Sequence, residues 1–235
     1  MKYRDIISAC AFITAGVGFA APAMATPSTA NYILDTWQGS GTVTGNDFGT
    51  VVLTQDGANV DVSLTLASGN GFVNTGAGDA LLFDLKGISS IRITGLTTGF
   101  TALNPGTGGS TKAGSYSGGG VGGGFNYAIQ CSGCGNGGSN ILTGPLDFTI
   151  DGISLAAFQT SDNGYYFASD ICVGTSTRHT DDEERGGLQC SDTGKTGNVT
   201  AEFDPPGVPV PEPLTLSLFG AGLAGAFAAR RRKKA

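Results

Sequence analysis

The chain has 235 residues, 40 of them glycine, and a formal charge of −6 at neutral pH. The glycines follow no G-x-y period, which excludes a collagen-like helix; scattered between apolar alternations, they favour many short strands and turns. The acidic balance repels phosphate backbones, so nucleic acid is not expected as a partner.

In chain order, Met1-Lys2-Tyr3-Arg4 is a basic start, Ile6 to Ala21 an almost uncharged apolar run, and Ala23-Met24-Ala25 an A-x-A cleavage pattern. Together they predict a secretory signal peptide over 1–25, with signal peptidase cutting before Thr26. Ile7-Ser8-Ala9-Cys10 loosely fits a lipobox, but Cys10 sits near the start of the apolar run instead of after it, so lipidation is not expected.

The body, 26–204, is long enough for one domain with a real core. Setting aside both ends leaves six Lys and Arg against seventeen Asp and Glu, a net charge of −11. Val60, Val62, Leu64 and Leu66 alternate with Asp61, Ser63 and Thr65, the period of a strand with one buried face. The preceding run, Phe48 to Thr54, is joined to it through Gln55-Asp56-Gly57-Ala58, whose Asp-Gly pair predicts a hairpin. Further strands are expected at Tyr32–Trp37, Ala80–Leu85, Ser90–Thr94, Gly124–Gln130, Leu146–Ile150, Tyr165–Ile171 and Asn198–Phe203. Gly152 to Gln159 reads equally as a strand or a short helical turn. Short strands with turn-rich separations point to an all-β fold, a single antiparallel β-sandwich of jelly-roll type, and not to βαβ units. Two stretches, Asn104–Gly123 and Thr175–Thr196, show no regular pattern and read as long loops.

Four cysteines remain after signal removal, and an even number in an exported chain predicts two disulfides. Of the three possible pairings, Cys131–Cys134 and Cys172–Cys190 are the local ones and are favoured. Cys131-Ser132-Gly133-Cys134 also has redox-pair spacing, but Gly135-Asn136-Gly137-Gly138 is a poor start for the helix that lowers a thiolate pKa. Zinc needs a second close Cys or His pair, which Cys172 and Cys190 do not supply. The run Asp181-Asp182-Glu183-Glu184 lacks the spacing of a calcium loop and reads as a solvated acidic segment. No metal and no cofactor is expected.

His179 is the single histidine, it lies in that polar segment, and no G-x-S-x-G elbow accompanies it. Paired carboxylates are set by space, not by spacing, and stay open. No catalytic residues are assigned and the chain is not expected to be an enzyme. Trp37, Tyr116, Tyr127, Tyr165 and Tyr166 are candidates for a sugar-stacking face, although aromatic residues in strands more often belong to the core.

After the body, residues 205–210 form a Pro-rich linker, which composition predicts to be extended. Pro211-Glu212-Pro213 then leads into sixteen uncharged residues, Leu214 to Ala229, and a basic stop, Arg230-Arg231-Arg232-Lys233-Lys234. As a helix the apolar run spans about 24 Å, short of the ~30 Å hydrocarbon layer. Its basic end is expected to stay cytoplasmic, holding the body outside the inner membrane. A motif, an apolar helix and an Arg cluster at 211–235 resemble a PEP-CTERM sorting signal in every part. The resemblance implies processing near Pro-Glu-Pro by an exosortase, a membrane cysteine transpeptidase, in Gram-negative, exopolysaccharide-producing bacteria.

The body also resembles a recurrent ectodomain of PEP-CTERM proteins. The resemblance runs through Phe72-Val73-Asn74-Thr75-Gly76, Phe125-Asn126-Tyr127-Ala128-Ile129, the Cys131–Gly138 stretch, Gly144-Pro145-Leu146-Asp147-Phe148-Thr149 and Gly164-Tyr165-Tyr166-Phe167-Ala168. It implies no activity. The expectation is a protein of the cell surface, outer membrane or extracellular matrix with a structural or adhesive role linked to exopolysaccharide or biofilm. The alternative is a glycan-binding module for that polymer, and a cryptic hydrolase ranks third.

Overall fold

The computed structural model describes residues 28–39, 41–75, 79–177, 188–191 and 196–201. The expectations placed on Ala23, Ala25, Thr26, His179, the Asp181–Glu184 run, the linker, Pro211, Glu212, Pro213 and the Arg230–Lys234 stop lie outside the described residues.

Eighteen strands are defined among the described residues, with two short 3-10 turns at Thr107–Gly109 and Leu155–Ala157. They are β1 (Thr29–Leu34), β2 (Thr36–Trp37), β3 (Gly49–Asp56), β4 (Asn59–Leu66), β5 (Asn70–Phe72), β6 (Leu81–Leu85), β7 (Ser90–Thr94), β8 (Thr101–Ala102) and β9 (Ser110–Lys112). The second half gives β10 (Tyr116–Gly118), β11 (Gly122–Phe125), β12 (Tyr127–Gln130), β13 (Leu146–Asp151), β14 (Phe158–Gln159), β15 (Phe167–Val173), β16 (Thr175–Thr177), β17 (Leu188–Cys190) and β18 (Thr196–Ala201). The fold is all-β and antiparallel. Sheet A runs β1-β3-β4-β13-β7-β9, and sheet B runs β2-β18-β15-β6-β12-β8 with two more strands off that order, β5 paired with β15 and β14 with β6. The chain crosses repeatedly between two packed sheets, as in a jelly roll, but six and eight strands exceed the eight in total of that fold.

The β3–β4 hairpin forms as its sequence dictates. Asp56 pairs with Asn59 across Gly57-Ala58, and Gly57 takes φ +57, a left-handed value that glycine adopts without steric cost. Gln55 clamps the turn: its Nε2 donates to the Asn59 carbonyl at 2.9 Å and its Oε1 accepts from Leu155 N at 2.9 Å.

Sheets A and B are buried differently. In β1, β3, β4 and β13 every second residue is buried, so sheet A has one wet face. In β6 all five residues are buried, and in β15 Phe167 to Cys172 are, so sheet B is covered on both sides. Between the sheets, Phe83 stacks on Tyr127 (centroids 5.4 Å) and lies 6.1 Å from both Phe148 and Phe158. Tyr32 of sheet A meets Phe167 of sheet B edge-on at 4.9 Å. These rings join the sheets into one core.

The outer side of sheet B is covered by the β10–β11 hairpin, which seals a smaller cluster of Leu82, Val121, Phe125, Ala128 and Ala168. Its glycines permit the close fit. A Cβ at Gly118 would press on Asn198, and one at Gly120 (φ +82) would collide with the Gln38 carbonyl. A third cluster, Val73, Ile141, Cys172 and Cys190 with Leu188 against it, anchors the β16–β17 hairpin.

Four expectations change. Tyr32–Trp37 is not one strand: the chain leaves sheet A after Leu34, and Thr36-Trp37 pairs with Val199-Thr200 in sheet B. Gly124–Gln130 breaks at Asn126, whose side chain replaces ladder bonds by accepting from Leu85 N (3.0 Å) and donating to Leu85 O (2.9 Å). Asn104–Gly123 contains β9, β10 and the start of β11, and Thr175–Thr196 contains β16 and β17. These strands are too short and too poor in apolar residues to show a period. Gly152–Gln159 resolves into both readings, a 3-10 turn and then β14 against β6.

Candidate functional site

The wet face of sheet A holds a shallow cleft of about 250 Å³. Asp61 and Ser63 of β4 and Asp147 and Thr149 of β13 line it, with Thr54 beside them. They converge because β4 and β13 are antiparallel neighbours in a register that sets Thr149 opposite Asp61 and Asp147 opposite Ser63. Thr149 Oγ1 donates to Asp61 Oδ1 at 2.7 Å, which fixes one carboxylate. At the rim Arg92 lies 3.5 Å from Asp151, an exposed ion pair of little energetic weight. A cleft of hydroxyls and carboxylates can hydrogen-bond a hydroxylated ligand.

The aromatic candidates do not join it. Tyr127 is fully buried, with its hydroxyl donating to the Ile88 carbonyl at 3.1 Å. Trp37 and Tyr166 pack on the main core, and Tyr116 and Tyr165 on the cluster beneath the glycine hairpin. Among the described residues Ile33 is the exposed large hydrophobic, at 55%, and no aromatic ring stands free. Of the five aromatic candidates Tyr127 is core, while Trp37, Tyr116, Tyr165 and Tyr166 are half-buried against two different clusters and none of them lines the cleft.

Cys131 and Cys134 have Cα atoms 5.4 Å apart, and Cys172 and Cys190 5.8 Å apart, the separations that disulfides span. Among the described residues no group of three or more His, Cys, Asp or Glu side chains is placed to hold a metal.

A polar group absent from the sequence reading sits under the hairpin. Asp170 of β15 is fully buried on the outer side of sheet B, opposite Asn198 of β18. Thr75 donates to its Oδ2 twice, from N at 3.3 Å and from Oγ1 at 2.7 Å, while Oδ1 has no hydrogen-bond partner. Half-buried Asp79 is its acidic neighbour. Burial pushes the Asp170 carboxyl up to about 6, the Thr75 bonds oppose this, and the Asp79 charge adds to it. Burial also raises Asp79, and raises Tyr116, which Asp79 lifts further. The sequence did hold a signal: Asp170 is the one charge inside an otherwise uncharged strand.

A pH dependence follows. An unfolded aspartate titrates near 3.9, so the folded chain holds the extra proton between roughly pH 4 and 6. The native state is favoured at the lower end of that window and loses stability as pH rises through about 6. In chelator-containing buffer, the melting temperature of Asp170→Asn is expected to gain on that of the wild type from pH 4 to 6; a constant difference would refute the assignment.

An all-β, antiparallel sandwich with an open polar face is the class that the fold defines. Residues 209–233 match the PEP-CTERM protein-sorting motif. The chain therefore carries the signal of a secreted, exosortase-processed protein. No curated protein and no solved structure matches the chain.

Proposed function

We propose that the sandwich is a structural or adhesive component of the cell surface, outer membrane or extracellular matrix, working alongside exopolysaccharide. Signal peptidase removes 1–25, the C-terminal segment engages the inner membrane transiently, and exosortase releases the body. The reading rests above all on a sorting motif joined to a sandwich whose sheet B is sealed and whose sheet A presents one open polar face. No reaction is assigned to it. Fractionation with antibody against the body is expected to find it at the surface or in the matrix; full-length chain held in the inner membrane of an exosortase-positive host would overturn the sorting step.

The cleft at Thr54, Asp61, Ser63, Asp147 and Thr149 supports a second reading, a binding module for the producer's own exopolysaccharide. Affinity electrophoresis in that polymer is expected to retard the wild type and to retard Asp61→Ala with Asp147→Ala less. Equal migration with and without polymer defeats this reading, and polymer shortening in the same gel would reveal a hydrolase.

A further inference from the structure

Asp170 and Asp79 leave a charge unanswered in the interior. Asp170 is 0% exposed and its Oδ1 accepts nothing, although a buried acceptor left empty is costly and a buried charge without a partner costs more. Among the described residues no donor reaches the Asp79 carboxylate. The cations there are Lys86, Arg92 and Lys112; Arg92 lies against Asp151 in sheet A, and the charge acting on Asp170 is the like charge of Asp79. The pair also lies close together by construction, because Asp170 N donates to the Asp79 carbonyl at 2.9 Å. The glycine hairpin lies beside them over Asn198, the β18 residue opposite Asp170, and its Gly119 carbonyl accepts from Asn198 Nδ2 at 3.0 Å.

We propose that Asp79 and Asp170 together hold one divalent cation of the calcium type beneath the β10–β11 hairpin. Two carboxylates balance a double charge, and their hard oxygens suit calcium, whose flexible coordination is completed by carbonyls, hydroxyls and water. Zinc is disfavoured because the cysteines here are paired and neither of the two acids offers a nitrogen or sulfur donor. The cation supplies what Asp170 Oδ1 lacks and ties the segment before β6 to β15 on the side of sheet B that the hairpin covers. This site is separate from the Asp181–Glu184 run and from the sheet A cleft.

The test uses the full-length chain, exported so that its cysteines oxidise and purified in detergent. Calcium added after chelation is expected to raise the melting temperature of the wild type and of Asp61→Asn, and not that of Asp79→Asn or Asp170→Asn. Terbium supplies a second readout: its emission excited through tyrosine is expected to saturate, to be displaced by calcium, and to fall in Tyr116→Phe without a change in affinity. Asp79 is half-buried, so Asp79→Asn keeps the test valid even where Asp170→Asn fails to fold, and its terbium affinity is expected to drop by more than about tenfold. The proposal is overturned by a wild type that melts identically with calcium and chelator, which would mean that a proton alone answers the charge. It is equally overturned by a calcium response that survives Asp79→Asn, or that is lost only when Asp181 to Glu184 are neutralised.

Discussion

Phe83→Ala is expected to cost about 3–5 kcal/mol, the range for deleting a fully buried aromatic ring. Phe83 projects from β6 into the space between the sheets, and its ring is 0% exposed. It contacts Tyr127 within its own sheet, Phe148 of sheet A and Phe158 of β14. Collapse into the vacated volume is limited on one side, because Phe158 also packs on Phe167 and Phe167 on Tyr32. A typical domain is stable by only about 5–15 kcal/mol, so this one change is expected to bring the sandwich close to unfolding. Urea denaturation followed by tyrosine and tryptophan fluorescence measures it; a loss below about 1 kcal/mol would show that the ring is not the bridge between the sheets.

The second large effect concerns Cys172 and Cys190. Their positions are 18 residues apart, a loop for which the chain-entropy account gives about 3 kcal/mol when the bridge is removed. Packing adds to that figure, since Cys172 is fully buried and Cys190 nearly so, both against Val73 and Ile141. Cys172→Ser with Cys190→Ser places two hydroxyls in this apolar cluster and frees the β16–β17 hairpin from sheet B. Limited proteolysis is expected to cut the variant between Thr175 and Thr196 while the two large sheets survive. Mass spectrometry of non-reduced peptides checks the pairing itself: four free thiols in exported protein, or a Cys134–Cys172 linkage, would refute it. The Cys131–Cys134 pair spans only three positions, so its loss is expected to matter less.

Both effects trace to how the chain encodes its layers. The alternation of Val60 to Leu66 and the Asp-Gly turn determined the β3–β4 hairpin, because a strand with one wet face writes its burial into every second residue. The same logic located β7 at Ser90–Thr94 and β13 from Leu146, each with a strand of sheet A as neighbour. The order of Pro-Glu-Pro, apolar run and Arg cluster determined the sorting class, since such a signal is read locally and needs no tertiary partner.

Other features exist only through distant contacts. Leu81–Leu85 and Phe167–Val173 do not alternate, and that became intelligible once sheet B proved to be covered by a core on one side and the glycine hairpin on the other. The glycines of 118–124 carry no period, because what fixes them is the approach of Asn198, Gln38, Asn163 and Asp162 from elsewhere in the chain. The cleft at Asp61 and Asp147 depends on the β4–β13 register across some eighty residues. Asp79 and Asp170 meet only because β6 and β15 are neighbours in sheet B. Local periodicity is written by the backbone and its nearest solvent boundary, so the sequence alone determined the alternating strands, the β3–β4 turn and the sorting class. The sites arise where strands far apart in sequence bring polar groups to one place, and only the tertiary structure decided which carboxylates were left facing water and which were sealed away from it.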